Sequence, residues 1–192
     1  MTTSTNGKIL IITAPSGAGK TSITQHLMAK FPDRLAFSVS AATRQPRGQE
    51  RNGVDYFFMS VDEFREKIRE DAFVEWEMVY EGKYYGTLKS ELERIWSEGR
   101  VPLLDIDVKG AIHVMQQFPG RTRSLFIEPP SVDELRRRLE ARGTETPASL
   151  ADRVNKASYE LSFKDHFNHV IVNDLLPRAC AEAEDILRDF LS

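Results

Sequence analysis

The sequence predicts an α/β fold, a mainly parallel sheet with helices on both faces. Three observations predict it. An unbroken apolar run, Ile9-Leu10-Ile11-Ile12, leads into a glycine-bearing loop and then a helix-forming stretch. Further buried-type runs follow at residues 101–107, 124–127 and 170–172. Amphipathic stretches of helical period separate them, and strands that alternate with helices in this way pair in parallel and are covered on both faces. The chain has 192 residues and is 41% hydrophobic and 29% charged, which suits one domain (residues 1–192) with an ordinary core. A net charge of −3 argues against general binding to a nucleic-acid backbone. No run has membrane-spanning length, so neither nucleic acid nor membrane is an expected partner. The lone cysteine, Cys180, excludes an intrachain disulfide and a cysteine zinc cluster. It lies among Ala179, Ala181 and Ala183 and reads as a small buried filler. Residues 1–7 read as a loose polar tail without secretory-signal character, which makes the cytoplasm the expected setting.

The elements follow in order. After the first strand and loop, residues 22–31 read as helix and 35–39 as a second strand. Residues 41–55 carry three arginines, two glycines and a proline and read as an ordered polar loop, with a short strand at 56–59. Ser60-Val61-Asp62-Glu63 fits a capping box that opens a helix with Val61, Phe64 and Ile68 on one face. Residues 73–80 alternate as a strand and pair with 84–87 across a turn at 81–83. Leu88, Leu92, Ile95 and Trp96 mark an amphipathic helix. The strand at 101–107 is followed by a helix at 110–118 and a strand at 124–127. Ser131-Val132-Asp133-Glu134 opens a helix to residue 142, residues 143–147 break it, and a helix runs over 148–161. A last core strand at 170–172 precedes a helix striped by Ala179, Ala183, Ile186, Leu187 and Phe190. Residues 35–87 are richer in β signals and read as an insertion that builds a second binding wall between core segments 7–34 and 88–192.

Chemistry concentrates first in Ala14-Pro15-Ser16-Gly17-Ala18-Gly19-Lys20-Thr21. A buried strand, a glycine loop and Lys-Thr at a helix start make a grip for a nucleoside triphosphate. Backbone N–H groups of Ser16, Gly17, Ala18 and Gly19 would close on phosphate oxygens. Lys20 would reach the β- and γ-phosphates, and Thr21 would hold Mg²⁺ through its hydroxyl. Ala14 stands where the motif has its first glycine, so its backbone must be one that L-residues adopt.

A triphosphate grip does not name the second substrate. Arg44 and Arg47 flank Pro46 at a short, stiff spacing that suits a phosphate, although spacing alone fits solvated loop charges equally well. Glu75 puts a carboxylate into the otherwise apolar Phe73-Val74-Glu75-Trp76, where the plain alternative is an exposed edge charge. Asp105 and Asp107 end a strand, where acids also cap the next turn. Arg136-Arg137-Arg138 lies on one helix, so its members face different ways and only Arg138 is taken as functional. His166 and His169 have no accompanying ligands and read as structural or surface residues. Trp76 and Trp96 read as core.

With these residues in place the chain closely resembles the guanylate kinase family over about residues 8–190. The motifs that carry the resemblance are the phosphate loop, Ser40-x-x-Thr43-Arg44-x-x-Arg47, Asn52-Gly53-x-Asp55-Tyr56, Glu75-Trp76 and Tyr84-Tyr85-Gly86. Leu104-Asp105-Ile106-Asp107, Arg142-Gly143-Thr144-Glu145-Thr146 and Val170-Ile171-Val172-Asn173-Asp174 complete them in the same order. The resemblance implies a phosphate-loop NTPase-type sheet, a small mixed-β GMP-binding subdomain at about 35–87 and a helical lid at about 139–161. It implies transfer of the ATP γ-phosphate to GMP, with dGMP a second acceptor, and Mg²⁺ as cofactor. The implied substrates are ATP and GMP, and the implied assembly is a monomer or homodimer.

The resemblance also assigns residues. Arg44, Arg47, Tyr56 and Tyr85 would hold the GMP phosphate. Ser40, Glu75, Thr87 and Asp107 would read guanine. One carboxylate accepts from both guanine N1–H and the adjacent amine, whereas adenine presents a bare N1 there. Asp105 would orient Mg²⁺ through water. Arg138, Arg142 and Arg153 match lid arginines, catalytic with Lys20, and Asn173 matches a position beside adenine. Departures are Ala14, Ala41 and Ala42 at positions often hydroxylated, Thr87 for a common serine, and Lys109 for a frequent glutamine. Two rivals stand beside this reading. One is a catalytically inactive guanylate-kinase-like module that binds phosphopeptides, which is expected to lack Lys20. The other is a kinase of a phosphorylated sugar, against which Glu75, Ser40 and Asp107 argue.

Overall fold

The computed structural model describes residues 7–141, 143 and 146–192. Most of the expected tail, together with Arg142, Thr144 and Glu145, lies outside the described residues. In chain order the elements are β1 (Ile9–Thr13), α1 (Lys20–Lys30), β2 (Leu35–Phe37), β3 (Ala41–Ala42), β4 (Phe57–Phe58), α2 (Val61–Arg69), β5 (Phe73–Tyr80) and β6 (Lys83–Leu88). Then come α3 (Lys89–Ser97), β7 (Val101–Asp105), α4 (Val108–Gln117), β8 (Thr122–Glu128), α5 (Val132–Ala141), α6 (Pro147–Leu161), β9 (His169–Val172) and α7 (Leu176–Leu191).

Five strands form the main sheet in the order β2-β7-β1-β8-β9, and every neighbouring pair is parallel. The apolar run of β1 is unbroken because both of its faces are covered. Leu10 and Ile12 join Ile23 and Leu27 of α1 and Ala183 and Leu187 of α7. Ile9 and Ile11 join Leu92 of α3, Val114 of α4 and Phe126 of β8 on the other side. At about 1.5–3 kcal/mol for each buried aliphatic side chain, this central strand anchors the fold. Cys180 is buried in the first cluster, as a filler should be.

The second sheet, β4-β3-β6-β5, is mixed. Its parallel β3–β4 pair adjoins antiparallel β3–β6 and β5–β6 pairs. α2 begins with the expected capping box, and its Phe64 stacks on Phe73 at 4.3 Å between ring centroids. The two sheets are tied at two points. Val74 of β5 sits in the core cluster of the main sheet, and Gln117 Nε2 of α4 donates to its carbonyl at 2.5 Å. Val39 N donates to the buried Glu91 carboxylate of α3 at 3.1 Å, and Arg94 pairs with that same carboxylate. α5 and α6 pack through Leu135, Leu139, Val154 and Ala157.

Several boundaries differ from expectation. The strand expected over 101–107 stops at Asp105, and the next helix starts at Val108 rather than 110, because Asp107 caps it. The first two residues of the expected polar loop form β3. Thr146 and Ser149 make a capping box for α6, a signal present in the sequence but unread. Trp76 is not core: it is 41% exposed. The register of β5 shifts between Phe73 and Glu75, which sends Val74 into the main core and leaves Trp76 on an edge strand.

Candidate active site

The loop from β1 to α1 is shaped by two glycines in left-handed backbone, Gly17 at φ 94° and Gly19 at φ 98°. L-residues rarely adopt that region, so these positions set the loop's course. Ala14 is not in that region, so the residue standing in for the first glycine is accommodated without strain. The loop is held from behind. A Cβ at Gly17 would lie 3.1 Å from Leu139 of α5, and one at Gly19 would lie 2.1 Å from Asn173 Nδ2. Asn173 Nδ2 donates to the Ala18 carbonyl at 2.8 Å. Asn173 is thus buried behind the loop rather than in the opening in front of it.

Asp105 ends β7 beside Ile12 of β1, and Lys20 Nζ donates to its carboxylate. Thr21 faces the same opening, which is a cleft of about 800 Å³ between the two sheets and α6. From α6, Arg153 donates to Ser16 Oγ at 2.7 Å. Arg138 of α5 donates to Glu134 at 2.9 Å and to the Asn173 carbonyl at 3.0 Å, outside the cleft lining. Arg137 first and Arg138 second hold the Glu134 carboxyl below its ordinary range. Arg142 lies outside the described residues.

Across the cleft stands the second sheet. Ser40, Tyr56, Glu75, Tyr85 and Asp107 all line the opening. Arg44 lies behind Tyr56, its guanidinium 4.7 Å from the ring centroid. It forms a two-pronged pair with Glu50, at 2.6 and 2.8 Å. That pair holds the Glu50 carboxyl down at about 2, and the Arg47 backbone amide adds to the effect. Burial raises the Tyr56 phenol, against the opposing effect of Arg44. Arg47 donates its backbone amide to Glu50, and its side chain is exposed and is not among the residues that line the cleft. Both arginines thus act on Glu50, Arg44 through its guanidinium and Arg47 through its amide and its charge.

Glu75 is 5% exposed. Thr87 stands opposite it in the β5–β6 ladder and donates its hydroxyl to Glu75 Oε1 at 2.6 Å. Burial pushes the Glu75 carboxyl up to about 7; the Thr87 bond opposes this and Asp107 adds to it. Asp107 accepts the Gly110 amide at 2.8 Å as the cap of α4, and it lines the cleft as well. Capping and a place in the cleft lining, read as alternatives in the sequence, coincide in one side chain.

The structure adds residues that sequence reading passed over. Glu50 occupies the Arg44 fork. Ser149, Lys156 and Glu160 of α6 line the cleft beside the expected Arg153. Together their spacing of four, three and four residues is one helical face, and that periodicity was the available signal. Burial raises the Glu160 carboxyl, and Lys156 at 3.8 Å opposes the shift.

Comparison with known proteins agrees with this geometry. The family model described as guanylate kinase matches residues 6–190. The chain is similar to the guanylate kinase of Bacteroides fragilis, at 47% identity over 96% of this chain and 90% of the relative. It is similar to that of Salinibacter ruber at 48% identity, over 96% of this chain and 97% of the relative. The crystal structure of guanylate kinase from Anaplasma phagocytophilum superimposes with a TM-score of 0.73 at 30% identity, covering 95% of this chain and 85% of that one.

Proposed function

The chain belongs to the guanylate kinase family, and on that premise we propose how its residues divide the work. The protein transfers the γ-phosphate of ATP to GMP, giving ADP and GDP. The observation that carries the division of labour is a single cleft with a phosphate loop on one wall and a buried carboxylate on the other. An oxygen of the GMP phosphate attacks the γ-phosphorus in line as the bond to the departing ADP oxygen breaks. No protein nucleophile is required, because position and charge compensation supply the catalysis.

Loop amides from Ser16 to Gly19 and the Lys20 ammonium hold the donor phosphates. Lys20 leaves Asp105 to do so, which frees that carboxylate. Asp105 and the Thr21 hydroxyl line one wall and offer the hard oxygen donors that Mg²⁺ takes, Asp105 through water. When bound, the ion offsets negative charge on the donor phosphates. Arg153 moves from Ser16 to the transferring group, and Arg138 and Arg142 act with it as lid arginines. Asn173 serves ATP by bracing the loop, and its adenine contact belongs to the same proposal.

Glu75 accepts from guanine N1–H and its amine, with Ser40, Thr87 and Asp107 fixing the rest of the base. Arg44, Tyr56, Tyr85 and Arg47 bind the GMP phosphate, which displaces Glu50 from the Arg44 fork. These roles touch base and phosphate only, so dGMP is a second acceptor. The lid and the GMP-binding wall close to exclude water. Small-angle scattering with both nucleotides bound should show compaction, and an unchanged radius of gyration would refute closure. Among the described residues no helix is long and apolar enough to cross a membrane, and we infer a cytoplasmic setting in nucleotide supply.

Turnover with ATP and Mg²⁺ against GMP, AMP, CMP and UMP tests the proposal, with Lys20→Ala as control. GDP formation selective for GMP and lowered about 10²–10³-fold in the control is expected. Folded protein that binds GMP and turns over no acceptor would favour the phosphopeptide-binding module instead.

A further inference from the structure

Gly110 is the third residue of α4, inside a helix where alanine is normally the better choice. Its φ is not in the left-handed region, so no turn explains it. Space does. A Cβ built on Gly110 would lie 2.8 Å from Glu75 Oε2, 3.3 Å from Glu75 Cδ and 3.4 Å from Asp107 Oδ1. A carbon–oxygen approach of 2.8 Å is a clash, and both atoms sets belong to proposed base readers.

The Glu75 carboxylate is held on two sides. On one side the Thr87 hydroxyl holds Oε1 at 2.6 Å. Behind it, Val74 is locked into the main core and its carbonyl is bound by Gln117 of the same helix. The Gly110 amide is itself committed to Asp107. With β5 pinned to α4 at two points, only a change in the carboxylate's own torsions relieves an added methyl, and that turns it away from its present position.

We propose that Gly110 is a positioning residue for acceptor specificity: its bare Cα is the floor that sets the depth of the Glu75 carboxylate against the base. This rests on the reading of Glu75 as the guanine reader. The start of α4 also favours negative charge beside it, which helps keep the ionised carboxylate against the helix. A misplacement of about an ångström can cost on the order of 10²-fold in turnover.

The experiment is steady-state kinetics of the full-length enzyme as wild type, Gly110→Ala, Glu75→Asp, the double variant and Glu75→Gln, with thermal melts of each. For Gly110→Ala we expect kcat/KM for GMP to fall about 10–100-fold through KM for GMP, with KM for ATP unchanged. In the Glu75→Asp background, where the shorter side chain leaves room for the methyl, the same substitution should cost far less. A glycine that merely fills a helix would give the opposite: a raised melting temperature and unchanged KM for GMP. That result, or equal costs in both backgrounds, overturns the proposal. If Gly110→Ala does not fold, recovery of folding in the double variant supports the contact and failure to recover overturns it. Glu75→Gln separates the two readings. Unchanged GMP selectivity there refutes Glu75 as the base reader, whereas lost selectivity with an innocuous Gly110→Ala refutes only the role of Gly110.

Discussion

The two walls of the cleft are built from different materials. The phosphate loop is made of backbone, with its course set by Gly17 and Gly19 and its rear braced by Leu139 and Asn173. The opposite wall is made of side chains on and beside the second sheet, in two groups: Glu75 with Thr87, and Arg44 with Tyr56 and Glu50. Amide groups bind any phosphate chain and carry no information about the base. A buried carboxylate discriminates by what it accepts and what it repels. On the proposed reading, the loop sets the chemistry and the wall sets the acceptor.

The largest break should come on the loop side. Lys20→Ala removes the charge over the transferring phosphate and should lower kcat about 10²–10³-fold with little change in GMP binding. Stopped-flow or coupled-assay kinetics with separate GMP titration checks this. Gly19→Ala adds a methyl 2.1 Å from Asn173 Nδ2 at φ 98°. It should abolish ATP binding and lower stability by about 1–3 kcal/mol, read by calorimetry and denaturant melts.

The next break is on the wall. Glu75 has an ordinary value of 4.5 and is pushed up to about 7 in the fold, by burial first. The folded state therefore keeps a proton between those values that the unfolded chain has released. The stability this gives is full below 4.5 and is lost as pH rises through about 7. Glu75→Gln, which accepts the Thr87 hydroxyl without carrying charge, should stabilise the protein at pH 8 by about 2 kcal/mol. Function runs the other way, because guanine needs the ionised form. GMP affinity should weaken as pH falls below about 7 in wild type relative to Glu75→Gln, a comparison that cancels the titration of the GMP phosphate itself. A pH-independent ratio would contradict the buried-carboxylate reading.

The smallest effect is expected at the brace behind the loop. Asn173→Ala removes one hydrogen bond to Ala18 and should raise KM for ATP about 5-fold, leaving KM for GMP alone. An equal rise in both would mean that the brace serves the whole cleft.

The same contrast explains what the sequence made legible. The loop's place between strand and helix was legible because contiguous residues build it, whereas its brace by Leu139 and Asn173 comes from distant segments. Strand-helix alternation gave the parallel sheet because covering both faces demands unbroken apolar runs. The wall was read in residue types but not in arrangement. Arg44 and Arg47 sit three apart, yet one is buried under Tyr56 against Glu50 and the other faces solvent. No local spacing carries that, because tertiary packing decides it. Trp76 was misplaced because a register shift in β5 breaks the alternation that made it look buried. Gly110 and Glu75 are 35 positions apart and meet only through the docking of β5 on α4.

The most direct measurement is the ratio of kcat/KM for GMP to that for AMP, in wild type and in Glu75→Gln, with KM for ATP taken alongside. A ratio that collapses by about two orders of magnitude while KM for ATP holds would establish that the side-chain wall chooses the acceptor and the backbone loop does not. A ratio that survives the substitution would contradict that division and send the choice of base elsewhere in the cleft.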